Sequence, residues 1–300
     1  MNQVPKTPNL IGTTVEDRFE VLSLIGEGGV AFVYKARLAD HAKAQGQGER
    51  FVAIKVLKRH EQFSLTDIER LKREGRALQR LRHPNIVKAY SSGFLKTSEP
   101  YLVLDFLNGK SLEDYIYKSD LFSLTWTLNT IVQICRGLSC AHDNGLIHRD
   151  LKPSNVMILD APSDGAYVKL LDFGTAKFTV SQPDELQLTK KGIIFGSPLY
   201  ISPEQISGKT FDKRADIYSL GCLMYEALAG QLPHKGKNEM GTLLKHLHEE
   251  PKTFSELKIA RHIPDEVETI VAQCMQKDPE ARIQNVLEVE ERLTACLKNQ

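Results

Sequence analysis

The 300-residue sequence lacks the patterns that mark secreted, disulfide-rich and zinc-binding proteins. Its five cysteines, at positions 135, 140, 222, 274 and 296, include no CxxC pair, and its nine histidines show no ligand spacing. An odd, dispersed set of cysteines excludes a disulfide framework and predicts buried thiols in a reducing compartment, so we expect a cytoplasmic protein. The same two absences argue against a zinc site.

Long apolar runs and a bulk charge of either sign are also absent. The longest uncharged runs, such as Leu121–Cys135, are too short and too polar to span a bilayer, and residues 1–12 contain no apolar core of a signal peptide. The 39 basic and 38 acidic residues leave a net charge of +1. We therefore expect no membrane segment in this chain and no nucleic-acid partner.

The secondary-structure signals divide the chain into a β-rich part and a helical part. The predicted strands are 19–26, 30–38, 51–57, 86–94 and 101–106, and the main helix of this part is predicted over 66–81. Further helices are predicted near 124–138, 217–228, 239–248, 265–276 and 285–297. Two lobes of this kind leave a cleft between them, where ligand sites tend to lie.

The most informative segment is His148–Asn155, which reads HRDLKPSN, followed seventeen residues later by Asp172. An acid, a cation and an amide followed by a second acid supply what phosphoryl transfer requires. One group orients a hydroxyl, others hold Mg²⁺, and a cation offsets developing charge. Taken singly, Asp150, Asn155 and Asp172 could each be ordinary turn or cap residues. Their joint occurrence in this order favours the chemical interpretation.

A glycine-rich segment and a lysine in the β-rich part fit a phosphate ligand. Gly26–Ala31 joins two predicted strands, and glycine amides can approach phosphate oxygens because no Cβ intrudes, although a plain hairpin turn is an alternative. Lys55 lies in the apolar strand VAIKVL, where it needs a carboxylate partner, for which Glu74 is the best candidate, or must reach water.

A P-loop is excluded as the source of phosphate binding. Gly-Lys-Ser occurs at 109–111 and Gly-Lys-Thr at 208–210. The glycine that a P-loop requires five residues earlier is Leu104 in the first case and Pro203 in the second.

Together these motifs resemble the eukaryotic-like (Hanks-type) Ser/Thr protein kinases, in their bacterial branch. The motifs that occur in the family's order are Gly26–Val33, Lys55, Glu74, His148–Asn155, Asp172–Gly174, Ser202–Glu204 and Asp216. The resemblance implies an α+β, bilobal protein kinase fold, with a small β-rich N-lobe that holds one main helix and a larger, mostly helical C-lobe. The implied division is an extension over 1–17, the N-lobe over 18–107 and the C-lobe over 108–297, with one kinase domain over 18–297.

The resemblance also implies a role for each residue of the catalytic machinery. Asp150 would accept or orient the proton of the substrate hydroxyl, and Lys152 would offset charge on the γ-phosphate. Lys55, paired with Glu74, would hold the α- and β-phosphates. Two Mg²⁺ ions, or Mn²⁺ in their place, would bind Asn155 and Asp172.

The implied ATP site is formed by residues of both lobes. Its members are Ile25, Gly26, Glu27, Gly28, Gly29, Val30, Ala31, Val33, Ala53, Lys55, Asp105, Leu107 and Met157. Asp105 and Leu107 would contribute backbone hydrogen bonds to the adenine. Ala31 stands where the family has a third glycine, and its single methyl group should still let the backbone close over phosphate.

The resemblance implies three structural roles outside the ATP site. His148 would be a packing residue rather than a general base. Asp216 would bracket the backbone of the catalytic loop, and Glu204 would form a buried ion pair with Arg282.

The sequence therefore predicts an ATP- and Mg²⁺-dependent protein Ser/Thr kinase that acts on protein substrates in signalling. Autophosphorylation is expected at Thr189, with Arg149 in the cationic pocket that receives the phosphate, through a transient homodimer. A pseudokinase scaffold is an alternative, which the intact catalytic residues disfavour. A small-molecule kinase is another, which the peptide-docking segment before Pro203 disfavours.

Overall fold

The structure is a computed structural model that describes residues 9–29, 31–39, 50–58, 75–118, 123–159, 167–173, 198–257, 259 and 261–298. Its contacts divide the chain into two compact units. We call them the first unit, Met1–Arg82 with Val87–Asn108, and the second unit, His83–Ile86 with Gly109–Gln300.

The first unit contains an antiparallel six-stranded sheet with the order β1-β2-β3-β4-β6-β5. Its strands are β1 (Thr14–Val15), β2 (Phe19–Glu27), β3 (Ala31–Leu38), β4 (Phe51–Leu57), β5 (Ala89–Phe94) and β6 (Pro100–Asp105). The helix α1 of this unit is described over residues 75–80. β2, β3, β4 and β6 thus lie close to the positions predicted from the sequence, whereas β1 is not predicted.

The two faces of this sheet differ in burial. In β3 the side chains of Phe32, Tyr34 and Ala36 are buried in the core, whereas Val33 and Lys35 are only half-buried. This period of two is the pattern of a strand with one face on an apolar core. Val33 and Lys35 therefore lie on the face of β3 opposite this core.

The strand register places three of the predicted ATP-site residues on the sheet face that carries Val33 and Lys35. Val33 lies opposite Lys55, and Lys35 lies opposite Ala53, which in turn lies opposite Leu104. Residues directly opposite each other in antiparallel strands project from the same face. Hence Val33, Ala53 and Lys55 share one face.

The second unit combines a small antiparallel sheet with seven α-helices within the described residues. The strands are β7 (Gly109–Ser111), β8 (Val156–Leu159) and β9 (Tyr167–Leu170), and the helices are α2 (Leu112–Lys118), α3 (Leu124–Asp143), α4 (Pro203–Ile206), α5 (Arg214–Ala229), α6 (Glu239–His248), α7 (Asp265–Cys274) and α8 (Val286–Lys298). Helix α4 consists of a single turn. Within the described residues, no helix has the length and apolar character needed to cross a membrane.

Helix α5 forms the centre of the second unit. Every residue from Ala215 to Ala229 is buried, as the nearly uninterrupted apolar sequence predicts. Each fully buried large side chain, such as Ile217 or Leu223, contributes about 1.5–3 kcal/mol to stability. Any group bonded to this helix is therefore attached to a fully buried element of the unit.

The predicted start of one strand is wrong. The strand predicted from Ile86 begins at Ala89, because Asn85 instead binds β9: its carbonyl accepts from the amide of Leu170 at 2.8 Å, and its side chain donates to the carbonyl of Val168 at 3.0 Å. Ile86 forms a parallel bridge with Leu170. The helix predicted to reach Leu81 ends at residue 80, and its predicted first turns, 66–74, lie outside the described residues.

A buried polar cluster lies beside α5 and α6. The rings of His234 and His246 pack edge to face with centroids 4.8 Å apart. Nζ of Lys277 lies 3.1 Å from Nε2 of His234, and the hydroxyl of Tyr218 lies 2.8 Å from Nδ1 of His246. Burial, followed by the charge of Lys277, lowers the pKa of His234 to about 3 and that of His246 to about 4. Both histidines are therefore neutral in the folded protein.

We expect this cluster to make the protein acid-sensitive. Below pH 6.5 the unfolded chain binds protons that the folded histidines cannot, so stability is complete above pH 6.5 and is lost as the pH falls towards 4. Between pH 7.5 and 5 each histidine should cost about 2 kcal/mol. Urea unfolding at the two pH values should show that His234→Phe removes about half of this loss. The control is His248→Gln, because His248 is exposed, and it should leave the loss of stability between the two pH values unchanged. If His234→Phe also left that loss unchanged, buried His234 would not be a source of the acid sensitivity.

Candidate active site

In the second unit, the predicted catalytic residue Lys152 and the predicted metal ligand Asn155 both contact the carboxylate of Asp150. Nζ of Lys152 lies 2.8 Å from Oδ2 of Asp150. The side-chain amide of Asn155 donates to the same oxygen at 3.1 Å and to the backbone carbonyl of Asp150 at 2.7 Å. The segment thus places an acid, a cation and an amide in direct contact, with the acid only partly exposed.

The local backbone explains this convergence. Pro153 is the first residue of a short 3-10 helix, Pro153–Asn155, which suits its fixed φ and missing amide hydrogen. The amide of Asn155 donates to the carbonyl of Lys152 at 2.9 Å and closes the turn. The carbonyl of Asn155 accepts from the amide of Leu171 at 2.9 Å, so the turn is joined to the chain immediately before Asp172.

Two residues of this region adopt left-handed backbone conformations. Arg149 has φ +69° and Asp172 has φ +59°. Outside glycine this region costs about 1–2 kcal/mol per residue, and such strain persists only where surrounding contacts enforce it. Both residues adjoin the chemical groups of the site, Arg149 next to Asp150 and Asp172 as a predicted metal ligand.

Asp216, in the first turn of α5, enforces the catalytic-loop conformation. Its Oδ2 accepts from the backbone amide of His148 at 2.8 Å and its Oδ1 from that of Arg149 at 2.8 Å. Nε2 of His142 lies 2.7 Å from Oδ2. This arrangement confirms the predicted bracket and adds His142, which the sequence did not indicate because its partner is 74 residues away.

The Asp216 carboxylate remains charged although it is buried. Burial alone would raise its pKa, but the hydrogen bond from His142 and the amides of the catalytic loop outweigh burial and hold the pKa below its usual value. A charged acceptor binds amides more strongly than a neutral one. The loop is therefore held by charge-assisted hydrogen bonds.

His148 is fully buried. Its ring packs on the ring of Phe173 with centroids 4.6 Å apart, and burial lowers its pKa. A neutral, enclosed imidazole cannot reach a substrate hydroxyl. The geometry agrees with a packing role for this residue.

The glycine-rich segment forms the turn between β2 and β3, where the amide of Gly28 donates to the carbonyl of Ala31 at 2.9 Å. A Cβ added at Gly28 would come no closer than 3.9 Å to that oxygen, and one added at Gly29 would meet nothing within 4 Å. Neither glycine has a positive φ. Within the described residues, packing and backbone conformation therefore do not explain these two glycines.

The remaining predicted site residues lie in both units. Ile25 and Glu27 are in β2 with Gly26, and Glu27 forms an ion pair of 3.1 Å with Lys58. Lys55 is buried in β4. In the second unit, Met157 is half-buried in β8.

Two further residues of the predicted ATP site lie near the end of β6. Asp105 is the last residue of this strand, and Leu107 lies two residues beyond it. Three predicted site residues lie outside the described residues: Val30, Glu74 and Thr189. The predicted pairing of Lys55 with Glu74 therefore stays a prediction.

The fold is that of the protein kinases. The structure resembles the crystal structure of the Mycobacterium tuberculosis PknI kinase domain, C20A_R136A double mutant, with a TM-score of 0.70 and 20% identity over 99% of this chain and 100% of that one. It also resembles Rad53 1–466 in complex with AMP-PNP, with a TM-score of 0.69 and 24% identity over 92% of this chain and 64% of that one. The predicted fold is confirmed.

The sequence matches the family model for the protein kinase domain over residues 19–293, and the chain belongs to this family. It is 33% identical over 281 residues to the serine/threonine-protein kinase PknB of Mycobacterium tuberculosis, covering 92% of this chain and 42% of that protein. It is 32% identical over 286 residues to the serine/threonine-protein kinase pkn3 of Myxococcus xanthus, covering 93% and 50%.

These relatives confirm the predicted bacterial branch of the Ser/Thr protein kinases, a family of phosphotransferases that use ATP and a divalent metal ion. The chain spans half or less of the length of these relatives.

Proposed function

We propose that the chain transfers the γ-phosphoryl group of ATP to Ser and Thr hydroxyls of protein substrates. The observation that carries this proposal is the convergence of Lys152 and Asn155 on the Asp150 carboxylate. A carboxylate held by two donors from one side keeps a fixed orientation and retains lone pairs for a third partner. An incoming hydroxyl is the partner that phosphoryl transfer requires.

In this proposal Lys152 has two tasks. Its cation fixes Asp150 at 2.8 Å, and it stands beside the point where a hydroxyl held by Asp150 would attack. Charge on the transferring phosphoryl group would develop within reach of the ammonium. Such a preset cation stabilises charge without reorganisation during the reaction.

Asn155 and Asp172 fit a divalent metal. The amide nitrogen of Asn155 is directed at Asp150, which turns its oxygen away from Asp150. Amide and carboxylate oxygens are the hard ligands that Mg²⁺ prefers, and Mn²⁺ accepts the same set. When bound, the metal would neutralise phosphate charge; Asn155 and Asp172 would hold it, and the bond between Leu171 and Asn155 would keep the two ligands in register.

We propose that the first unit holds most of the nucleotide. The unexplained glycines at 28 and 29 leave the backbone of the turn open to phosphate oxygens. Val33, Ala53 and Lys55 share one face of the sheet, on which Val33 is half-buried and Ala53 and Lys55 are buried; this grouping suits an adenine and its phosphates. Residues 18–107 and 108–297 would be the two lobes of one kinase domain, with Met157 as the contribution of the second lobe to the ATP site.

The test is transfer of labelled γ-phosphate from ATP in the presence of Mg²⁺ to a generic protein substrate. We expect label on Ser and Thr and none on Tyr, and also on the chain itself. Absence of any transfer, with ATP bound normally, would favour a binding scaffold instead. Transfer to small metabolites only would contradict the protein-kinase proposal.

The same reaction tests autophosphorylation. Mass spectrometry should find phosphate at Thr189, placed there by a second copy of the chain and received by Arg149. Dilution should slow the labelling if two copies must meet. Labelling confined to other residues would refute this choice of site.

We also propose a cytoplasmic location for the domain. The proposed use of ATP and the five cysteines that form no disulfide both suit that compartment.

A further inference from the structure

We propose that Tyr90 and Lys35 are positioning residues for adenine, because they fix the segment Asp105–Leu107 from the two faces of the sheet. This inference rests on the proposed ATP site, in which the backbone of this segment binds the adenine. A segment that offers only backbone groups must have its own position set by other contacts. The structure provides such contacts on both sides.

On the core face of the sheet, Asp105 is held by a chain of two hydrogen bonds. The hydroxyl of Tyr90, in β5, donates to Oδ1 of Asp105 and accepts from Nη2 of Arg50. The guanidinium of Arg50 and the ammonium of Lys88 each lie 4.8 Å from the centre of the Tyr90 ring. Burial, and then the bond to Asp105, raises the pKa of Tyr90, so the phenol stays a neutral donor.

The backbone of Asp105 is bound at the same place. Its amide donates to the carbonyl of Lys88 at 2.9 Å. Side chain and main chain of Asp105 are thus both tied to the segment Lys88–Tyr90. Because the amide of Asp105 is bonded within the sheet, a ligand would have to bind other backbone groups of the segment Asp105–Leu107.

On the opposite face, Phe106 is held by a cation between two aromatic rings. Nζ of Lys35 lies 4.1 Å from the centre of the Phe51 ring and 4.6 Å from that of Phe106. The two rings meet edge to face with centroids 6.2 Å apart. Consecutive residues, Asp105 and Phe106, are therefore anchored by different groups in opposite directions. Leu107 follows Phe106 directly in the chain.

Tyr90→Phe removes one hydrogen bond and keeps the ring. We expect it to weaken adenosine binding about fivefold, the effect of one typical hydrogen bond. Lys35→Met removes the cation and keeps the stem, and should weaken adenosine about threefold. Calorimetry with adenosine, and separately with Mg²⁺ tripolyphosphate, measures the two halves of the ligand. Tripolyphosphate affinity should be unchanged, since the glycine-rich turn and Lys55 are untouched.

Kinetics give a second readout. The KM for ATP should rise by the same factor while kcat at saturating ATP stays constant, because Asp150, Lys152 and the proposed metal ligands are untouched. Arg18→Met is the matched control: it removes a cation 5.0 Å from the Phe19 ring on the same sheet and should change neither affinity. A variant that loses adenosine and tripolyphosphate affinity in parallel would show general damage to the fold and overturn the inference.

A double-mutant cycle tests whether Tyr90 acts through Asp105. If it does, Tyr90→Phe, Asp105→Ala and the double variant should each weaken adenosine about fivefold. Effects that multiply to about 25-fold would overturn the inference. Failure of the unaltered protein to bind ATP at all would instead refute the proposed function. ATP binding by the unaltered protein, with adenosine affinity unchanged in Tyr90→Phe, would refute this inference alone.

Discussion

Replacement of Asp150 by Asn should lower kcat about 10³-fold, within the range that a positioned acid–base group contributes. Asn has nearly the same shape and can still accept from Lys152 through its oxygen, so the loop should keep its structure. It cannot take up a proton, and its amide hydrogens would oppose the substrate hydroxyl. The loss should therefore appear in kcat and leave the affinity for ATP unchanged.

Steady-state transfer of γ-phosphate, together with ATP binding by calorimetry, measures both quantities. Asp143→Asn is the control, because Asp143 is an exposed carboxylate at the end of α3 in the same unit. It should retain full activity. Retention of more than a tenth of the rate in Asp150→Asn would mean that Asp150 neither orients the hydroxyl nor accepts its proton.

Replacement of Arg282 by Met should destabilise the protein by about 3–5 kcal/mol, because it leaves a buried carboxylate without its cation. The predicted ion pair with Glu204 is present and bidentate, with distances of 2.9 Å and 3.1 Å, and the side chains are 0% and 6% exposed. The guanidinium also donates to the carbonyls of Gln276, Arg214 and Lys277. All five of its N–H groups are thus used.

Urea unfolding followed by circular dichroism measures this loss. Arg136→Met removes an ion pair of 2.7 Å with Glu290 whose arginine is 50% exposed, and it should cost less than about 1 kcal/mol. Arg282→Lys should recover little, since a single ammonium cannot replace the planar fork. Equal costs for Arg282→Met and Arg136→Met would contradict the importance of the buried pair.

Strands and long helices of this chain are predictable from sequence because their burial is periodic. β4 and α5 lie close to their predicted positions, because a strand and a fully buried helix each require a recognisable pattern of apolar residues in the sequence. Short elements are not predictable in this way. β7, β8 and the single turn α4 are too short to show a period, and the sequence predicts no strand at β7.

Contacts between site residues that are far apart in the chain are also not predictable from local sequence patterns. The grouping of Asp150, Lys152 and Asn155 is predictable because one short turn joins them. The contact of His142 with Asp216 is not, because a histidine at a helix end has no local feature that indicates a distant carboxylate. Likewise, nothing local reveals that the buried Glu226 accepts from the hydroxyls of Tyr117 and Tyr200, each at 2.5 Å.

The bonds from Asp216 to the catalytic loop have a consequence for hydrogen exchange. Surface loops usually exchange their amide hydrogens through small local openings. The amides of His148 and Arg149 donate to a carboxylate rooted in α5, in which every residue from Ala215 onward is buried. They can be released only when the start of that helix opens. In deuterium these two amides should therefore be among the last to exchange, at the rate of the central helix, although they belong to a loop.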